Sequence, residues 1–298
     1  MPSETSVSEP RETPSTSRTP NDAVEEHSVD ATVIEDLLVR TSRTFALAIP
    51  LLPQPTRYEV TLAYLLFRIA DTFEDASVHW RRTDQRRALG EFCELLADPS
   101  QESAEELTPG WLDPAPSDHQ GYVDLVRETP RVMRAFLGLT DAARAVIARH
   151  TIRTAELMAS FVDRSDDDGD LHLATLEDLR DYCYAVAGIV GEMLSDLFIL
   201  GSESLEPVRP FLSERAAAFG EGLQLVNILK DSADDATEGR FYLPEGVSRQ
   251  EVLALAREDL HRAAEYTLKI QQHQGPDGVV AFTALPVELA RASLDRVE

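Results

Sequence analysis

An all-α fold is predicted by three features of the 298-residue sequence. From Asp30 onward, apolar residues recur with a helical period in one segment after another. No alternating apolar and polar run and no Asn-Gly turn interrupts this series, so strands and hairpins are not expected. Hydrophobic residues make up 43% of the chain, which is enough to bury a large core. We therefore expect one all-helical domain.

The predicted helices lie between interruptions that are rich in Pro and Gly. Residues 1–28 are rich in Ser, Thr, Pro and Glu and are expected to form a disordered tail, which leaves residues 29–298 for the domain. A loop is expected over residues 99–121, where Pro and Gly cluster without a helical period. A first helix around residues 33–38 is followed by expected helices over 58–75, 83–98, 122–139, 140–164, 176–200, 212–236, 249–272 and 278–297.

The composition argues against several classes of protein. The net charge is −25, from 53 acidic and 28 basic residues, whereas nucleic-acid binding needs clustered Lys and Arg, so no such partner is expected. No apolar run approaches the roughly 18 residues of a membrane-spanning helix, and the N-terminus lacks the apolar region of a secretory signal. The sequence motifs of zinc proteases, nucleophile-elbow hydrolases and P-loop proteins are absent.

The two cysteines indicate a reducing compartment. Cys93 and Cys183 lie in apolar, helix-like segments and lack the spacing of metal ligands. We expect both to be reduced core thiols of a cytoplasmic protein.

Two acid clusters each end an apolar helix. They comprise Asp71, Glu74 and Asp75 in the first cluster and Asp231, Asp234 and Asp235 in the second. Residues three and four apart share a helix face, and carboxylates about 5–6 Å apart repel by about 3 kcal/mol at an effective dielectric near 20. Bound Mg²⁺ removes this cost, since it takes carboxylate oxygens as ligands and bridges to phosphate. Solvated helix ends could explain one such cluster, but two favour a metal site.

The neighbours of the two clusters strengthen this prediction. Arg68 lies three residues before Asp71, on the same helix face, where it can contact that acid or a phosphate. Gln224 and Asn227 precede Asp231 at i, i+3 and i+7, which places two amides and an acid on one stripe. Amides in line with an acid are typical of the surroundings of a metal or a substrate.

Four stretches resemble the squalene/phytoene synthase family, the head-to-head prenyl transferases. They are "TSRTFALAIPLLP", "YLLFRIADTFED", "YCYAVAGIVGEML" and "LQLVNILKDSADDATEGRFYLP", and the resemblance extends from about Asp30 to the chain end. It implies the isoprenoid synthase fold, in which two Asp-rich helices face each other across an apolar pocket. It also implies an allylic diphosphate substrate, ionised with Mg²⁺ (or Mn²⁺), and a carbocation shielded from water by the pocket.

The resemblance implies a role for each matching residue. Metal binding is implied for all six acids of the two clusters, and catalysis for Tyr182, Arg68, Asp71 and Asp75, with Tyr182 as acid or base. Substrate binding is implied for Ser42, Arg43, Phe45, Arg68, Gln224, Asn227, Arg240 and Tyr242. For NADPH, where it is used, the implied contacts are Arg43 and Lys230.

The spelling of the motifs favours squalene chemistry within the family. "DTFED" resembles the DTxED motif of squalene synthases more than the DExxD of phytoene synthases, and "FTALP" points the same way. This implies condensation of two farnesyl diphosphates to presqualene diphosphate, followed by reduction with NADPH to squalene.

Other features keep a reductant-independent product open. "YCYAVAGIVGE" also resembles dehydrosqualene synthases, and Lys230 stands where squalene synthases usually have Arg. The sequence ends at Glu298, before the basic loop and final helix of squalene synthases, so we expect the domain to lack that helix. Presqualene diphosphate, dehydrosqualene and phytoene therefore stay alternative products.

Two further functions fit the residues less well. A class I terpene cyclase would carry an NSE/DTE-type triad, which "DSADD" does not match, and a non-catalytic helical scaffold would not need two intact acid clusters. The C-terminal membrane anchor of eukaryotic family members has no counterpart in this sequence. We therefore expect a bacterial-type protein that is cytoplasmic or peripherally attached to a membrane.

Overall fold

The all-α prediction is confirmed by the computed structural model. The structure describes residues 20–42, 44–166, 171–237, 240–244 and 246–297, and within these ranges the side chains of all residues except 20–29, 232–241 and 297. The helices are α1 (Pro20–Thr41), α2 (Phe45–Ala48), α3 (Thr56–Glu74), α4 (Arg82–Ala97), α5 (Gln101–Leu107), α6 (Gln120–Arg127), α7 (Thr129–Leu137), α8 (Asp141–Arg164), α9 (Leu176–Cys183), α10 (Ile189–Leu200), α11 (Arg209–Thr237), α12 (Arg249–Gln272) and α13 (Asp277–Val297).

Shorter elements connect these helices. The π-helical segment Tyr184–Gly188 joins α9 to α10, so the chain is helical from 176 to 200 as predicted. Two strands of two residues each, β1 (Leu171–His172) and β2 (Arg240–Phe241), pair in parallel and tie the segment after α11 to the segment before α9. Strands this short show no alternating pattern, which is why the sequence did not predict them. Short 3₁₀ turns cover Ile49–Leu51, Ala76–Val78, Thr108–Trp111 and Glu203–Val208.

Three predicted boundaries differ from the structure. Helix α1 begins at Pro20, inside the expected tail, while residues 1–19 lie outside the described residues. The expected loop 99–121 was wrong in part, since it contains α5, which begins where the Ser100 hydroxyl accepts the Ser103 amide proton as an N-cap. The expected helix 122–139 is two helices, α6 and α7, because the chain turns at Glu128 and Pro130 fills the first turn of α7.

The core is built around α3, which is buried on nearly all sides. Leu62, Leu65, Ile69 and Phe73 are each fully buried within it, as its near-continuous apolar sequence predicts. Helix α11 packs against α10 on one side and α12 on another. Where α11 packs on the π-helical segment before α10, a Cβ on Gly220 would lie 1.8 Å from the Ala187 carbonyl oxygen, so only glycine allows the two backbones to come this close.

One helical run is long and apolar enough for a membrane span, which was not predicted from the sequence. The stretch Leu176–Leu200 combines α9, the π segment and α10, and 61% of its most apolar window is buried inside the protein. The helices of a protein core pass the same test, so the run is weak support for a span.

Both cysteines are free, in agreement with the predicted thiols. Cys183 is fully buried, and burial raises its pKa well above the usual value. Cys93 is partly buried, and burial, followed by the nearby Glu156 and Glu94, raises its pKa to about 11. Neither thiol is therefore poised to react as a thiolate.

Candidate active site

A cavity of about 570 Å³ is enclosed mainly by α3, α10, α11 and α13. Its apolar wall includes Phe67 of α3, Leu194 of α10, Phe219 of α11 and Phe282 of α13. The same cavity is lined by acids from two helices, α3 and α11. A hydrocarbon chain and a charged head group therefore both find matching surfaces in it.

Every predicted site residue whose side chain is described lines this cavity. These residues are Ser42, Phe45, Arg68, Asp71, Glu74, Asp75, Tyr182, Gln224, Asn227, Lys230, Asp231 and Tyr242. Arg43 lies outside the described residues, and so do the side chains of Asp234, Asp235 and Arg240. The described set is thus brought together in one place, while the individual roles stay predictions.

The first acid cluster lies at the C-terminal end of α3, and the chain fixes it there with hydrogen bonds. The Asp75 amide donates to the Asp71 carbonyl at 2.8 Å, which closes the last turn of the helix. The buried Gln85 of α4 donates through Nε2 to the carbonyl oxygens of Glu74 and Phe73, at 2.6 and 3.3 Å. Carbonyls at a helix end need such partners, so α4 holds the acidic end of α3 in place.

Arg68 contacts the acid cluster, as its spacing predicted. Its Nη1 lies 3.3 Å from Asp71 Oδ2, and its Nη2 donates to the Tyr64 hydroxyl at 3.3 Å. That hydroxyl in turn donates to the Thr41 carbonyl at 2.7 Å. Burial lowers the pKa of Arg68, but Asp71, Tyr64 and Tyr122 outweigh it and the pKa lies above its usual value. The guanidinium therefore stays charged inside the cavity.

Asp231 of α11 is the acid of the second cluster whose side chain the structure describes. It lies on the helix face that the sequence predicted. Gln224, Asn227 and Asp231 all line the cavity, which confirms that the three share a face. Lys230 lies with its Nζ 3.4 Å from Asp231 Oδ1, and both side chains are about half exposed, at 49% and 41%. Helix α11 thus presents two amides, an acid and a cation to the cavity.

Tyr182 and Tyr242 form a stacked pair beside the first acid cluster. Their rings lie 4.8 Å apart at 26°, and the Tyr182 hydroxyl donates to the Tyr242 hydroxyl at 3.0 Å. The Tyr182 hydroxyl also lies 3.5 Å from Glu74 Oε1. Burial, followed by the nearby carboxylate of Glu74, raises the pKa of Tyr182 well above its usual value. Its hydroxyl consequently keeps its proton at neutral pH.

Two aromatic cavity residues that contact Arg68, Tyr64 and Tyr122, were not predicted from the sequence. Tyr64 lies one turn before Arg68 on α3, so the four-residue spacing could have revealed its contact with the arginine. Tyr122 comes from α6, and the centroid of its ring lies 5.4 Å from the Arg68 guanidinium carbon. No local spacing connects residues so far apart in the chain, and only the fold brings them together.

The donor set suits a hard divalent cation that is shared with a ligand. Among the side chains that the structure describes, no group of three or more His, Cys, Asp or Glu residues lies close enough to hold a metal alone. The cavity nevertheless combines oxygen donors from both helices, Asp71, Glu74 and Asp75 from α3 and Asp231 from α11. Mg²⁺ binds through one or two carboxylates together with waters and phosphate oxygens, so these donors fit it when a diphosphate supplies the others.

The family model for squalene/phytoene synthase matches residues 38–298. The chain belongs to the squalene/phytoene synthase family. The match includes α3, α10, α11 and α13, the four helices that mainly enclose the cavity.

Curated relatives of this family show moderate identity over most of the chain. The squalene synthase BSS of Botryococcus braunii is 32% identical over 203 residues, 68% of this chain and 40% of its own length. The squalene synthase of Schizosaccharomyces pombe is 30% identical over 208 residues, 70% of this chain and 43% of its own. The human squalene synthase is 30% identical over 210 residues, 70% of this chain and 45% of its own. The matched region thus spans less than half the length of these relatives.

Solved structures share the fold. The complex of TcSQS with the ligand E5700 has a TM-score of 0.72 and 26% identity, and the match covers 89% of this chain and 78% of that one. A dehydrosqualene synthase in complex with a ligand has a TM-score of 0.58 and 21% identity, with 92% and 88% covered. The chain therefore has the all-α isoprenoid synthase fold that its sequence implied.

Proposed function

We propose that the protein condenses two molecules of farnesyl diphosphate head to head into presqualene diphosphate. The observation that carries the proposal is the single cavity in which acids of α3 and α11, together with Arg68, meet an apolar wall. The relatives named squalene synthase support the same reaction class. In the overall reaction one diphosphate and one proton leave, and a cyclopropane ring joins the two chains.

The charged and amide side chains of the cavity bind the diphosphate groups and their cation. Arg68 has a guanidinium whose N–H donors suit phosphate oxygens, and Gln224 and Asn227 offer amide donors from α11. Asp71, Glu74, Asp75 and Asp231 would hold Mg²⁺. Neutralisation of the charge on the leaving diphosphate is the chemistry that bound Mg²⁺ supplies. The carbon–oxygen bond of one substrate then breaks to give an allylic carbocation and free diphosphate.

The apolar wall excludes water from that carbocation. Phe67, Leu194, Phe219 and Phe282 offer no nucleophile, so the double bond of the second substrate is the group that reacts. Ring closure then releases a proton. The Tyr182 hydroxyl can take it up and pass its own proton to Glu74 Oε1, 3.5 Å away.

Reduction to squalene is the proposed second step, since the relatives are named squalene synthases; NADPH is the reductant that we propose for it. One observation favours a reaction without the reductant as the second candidate. Among the described lining residues the cations are Arg68 and Lys230, and each is paired with an aspartate. Lys230, for which a contact with NADPH was implied, is thus engaged by an acid. Presqualene diphosphate or dehydrosqualene from farnesyl diphosphate, or phytoene from the C20 diphosphate, is the alternative product.

Product analysis separates the two candidates. Purified protein is incubated with farnesyl diphosphate, or in parallel with geranylgeranyl diphosphate, in the presence of Mg²⁺, with and without NADPH, and the extracted lipids are identified by mass spectrometry. Squalene that forms only with NADPH supports the reductive reaction. Presqualene diphosphate, dehydrosqualene or another condensation product that forms regardless of NADPH supports the alternative. If farnesyl diphosphate is recovered unchanged in both arms, the proposed function is wrong.

A cytoplasmic location and a peripheral contact with membranes stay predictions. The exposed side chains of Leu47, Leu51 and Leu289 support such a contact, since Leu289 also lines the cavity that would hold the apolar product. Sedimentation with vesicles of neutral phospholipid tests it, because a net charge of −25 disfavours anionic lipid. Protein that stays entirely in the supernatant would show the membrane prediction to be wrong.

A further inference from the structure

We propose that Tyr122 of α6 is a positioning residue for Arg68. The inference rests on the proposed function in one respect, namely that Arg68 binds a substrate diphosphate. The Arg68 guanidinium carbon lies 5.4 Å from the centroid of the Tyr122 ring and 5.6 Å from that of Tyr64. Both distances are within the range of a cation–π interaction. The two aromatic rings and the Asp71 carboxylate together fix where the guanidinium lies.

One hydrogen-bond donor of Arg68 has no partner among the described residues. Its Nη1 is engaged by Asp71 and its Nη2 by the Tyr64 hydroxyl. Its Nε is buried and has no hydrogen-bond partner within the part of the chain that the structure describes. A buried donor without a partner calls for an explanation. Because Arg68 lines the cavity, an oxygen of a bound diphosphate can accept the hydrogen bond of this Nε–H group.

An aromatic ring suits this task better than a hydrogen-bonding side chain. A carboxylate or amide in place of Tyr122 would hold Arg68 by occupying more of its N–H groups. The face of a ring attracts the cation through its quadrupole and leaves those groups available. Tyr122 thus restrains the arginine without competing with the substrate.

The position of Tyr122 is itself fixed by the packing of α6 on α1. A Cβ on the preceding Gly121 would lie 2.8 Å from the Arg40 carbonyl oxygen, so the two helices are in close contact there. Arg40 also forms an ion pair with Asp124, one turn along α6. The imidazole of His119 lies against the Tyr122 ring, with 4.1 Å between the ring centroids. The ring can therefore hold a neighbour in place.

The test compares Tyr122→Leu, which removes the ring, with Tyr122→Phe, which keeps it. Binding of inorganic diphosphate with Mg²⁺ is measured by calorimetry, and KM and kcat are measured with farnesyl diphosphate. We expect Tyr122→Leu to weaken diphosphate binding and raise KM about 3- to 30-fold, with a smaller effect on kcat. Tyr122→Phe should bind as the wild type does. The matched control is Tyr58→Leu, on α3 but outside the cavity lining, which should leave binding unchanged.

A double-mutant cycle decides whether Tyr122 acts through Arg68. In an Arg68→Gln background, Tyr122→Leu should cause no further loss of diphosphate binding. An equal loss in both backgrounds, wild-type binding by Tyr122→Leu, or a Phe variant as weak as the Leu variant would overturn the proposal. If Tyr122→Leu does not fold, Tyr122→Met replaces it in the cycle.

The outcomes also separate this inference from the proposed function. Diphosphate binding that depends on Tyr122 through Arg68, with no turnover of any prenyl diphosphate, would refute the proposed reaction and support the inference. A wild-type protein that binds no diphosphate would refute the inference itself.

Discussion

Two carboxylates of α11 lie in opposite environments. Asp231 lines the cavity, is 41% exposed and pairs with Lys230. Glu221, earlier on the same helix, is 8% exposed and lies near Asp259 of α12, which is 1% exposed. The Oδ2 atom of Asp259 is buried and has no hydrogen-bond partner among the described residues. One helix thus carries an acid placed for cations and another placed in the core.

The buried pair is expected to keep its protons to a higher pH than an ordinary carboxylate does. Burial, together with the nearby Asp259, raises the pKa of Glu221 to about 7. Burial raises the pKa of Asp259 to about 6, although Arg180 and Arg262 lower it. Acidity in the sequence therefore does not by itself mark a metal site. Access to the cavity and the position of the nearest cation decide what a carboxylate can do.

The largest expected effect comes from the cavity acids. Asp71→Ala removes an oxygen donor and the partner of Arg68, so kcat for farnesyl diphosphate should fall about 1000-fold or more. A steady-state assay of diphosphate release measures it. The control is Asp118→Ala, whose side chain is 96% exposed and does not line the cavity. Activity of Asp71→Ala within a few-fold of the control would contradict the assignment of the α3 acids.

Tyr182→Phe tests the hydroxyl that lies near both Glu74 and the Tyr242 hydroxyl inside the cavity. The substitution keeps the stacked ring and removes the hydroxyl that lies 3.0 Å from Tyr242. We expect kcat to fall about 100-fold with little change in KM, because a proton carrier is lost while the binding surface stays. Steady-state kinetics measure both constants. A raised KM with unchanged kcat would show that the hydroxyl serves binding instead.

The buried pair should affect stability and its dependence on pH. Because the pKa of folded Glu221, about 7, exceeds the unfolded value near 4.3, its contribution to stability is complete at low pH. That contribution is lost as the pH rises through about 7, so the free energy of unfolding should fall between pH 5 and 8. Glu221→Gln stays neutral and should be more stable than the wild type by about 2 kcal/mol at pH 8.

Chemical denaturation at pH 5 and pH 8 measures this difference. Glu214→Gln, on the same helix but with a side chain that is 75% exposed, is the matched control and should change little at either pH. If Glu221→Gln destabilises the protein at pH 8, the carboxylate is stabilising in its charged form and the comparison fails.

The smallest effect is expected at the exposed pair. Lys230→Met removes the partner of Asp231, and both side chains are about half exposed. Solvent screens such pairs, so the free energy of unfolding should change by less than about 1 kcal/mol. Thermal and urea denaturation measure it. A loss as large as that expected for a buried charge would mean that the cavity acids are structural.

The sequence predicted what depends on local spacing. The acids of α3, the contact of Arg68 with Asp71, and the stripe of Gln224, Asn227 and Asp231 all follow from residues three, four or seven apart on one helix. The fold class followed from helical periodicity together with the family resemblance. These features were predictable because a helix fixes its own geometry.

Features that join distant segments were not predicted. Tyr122 reaches Arg68 from α6, Glu221 meets Asp259 across two helices, and Leu171 pairs with Arg240. The π-helical segment within residues 176–200 was also not predicted, since its apolar pattern fits an ordinary α-helix. Each of these depends on how helices pack, and sequence spacing carries no information about that packing.

We propose above all that the acids of α3 and α11 bind one diphosphate through a divalent cation. The most direct measurement is diphosphate release from farnesyl diphosphate, with Mg²⁺ and with excess EDTA, for the wild type, Asp71→Ala and Asp231→Ala. We expect release by the wild type with Mg²⁺, none with EDTA, and little by either variant. Release that persists in EDTA, or in a variant lacking either acid, would contradict it.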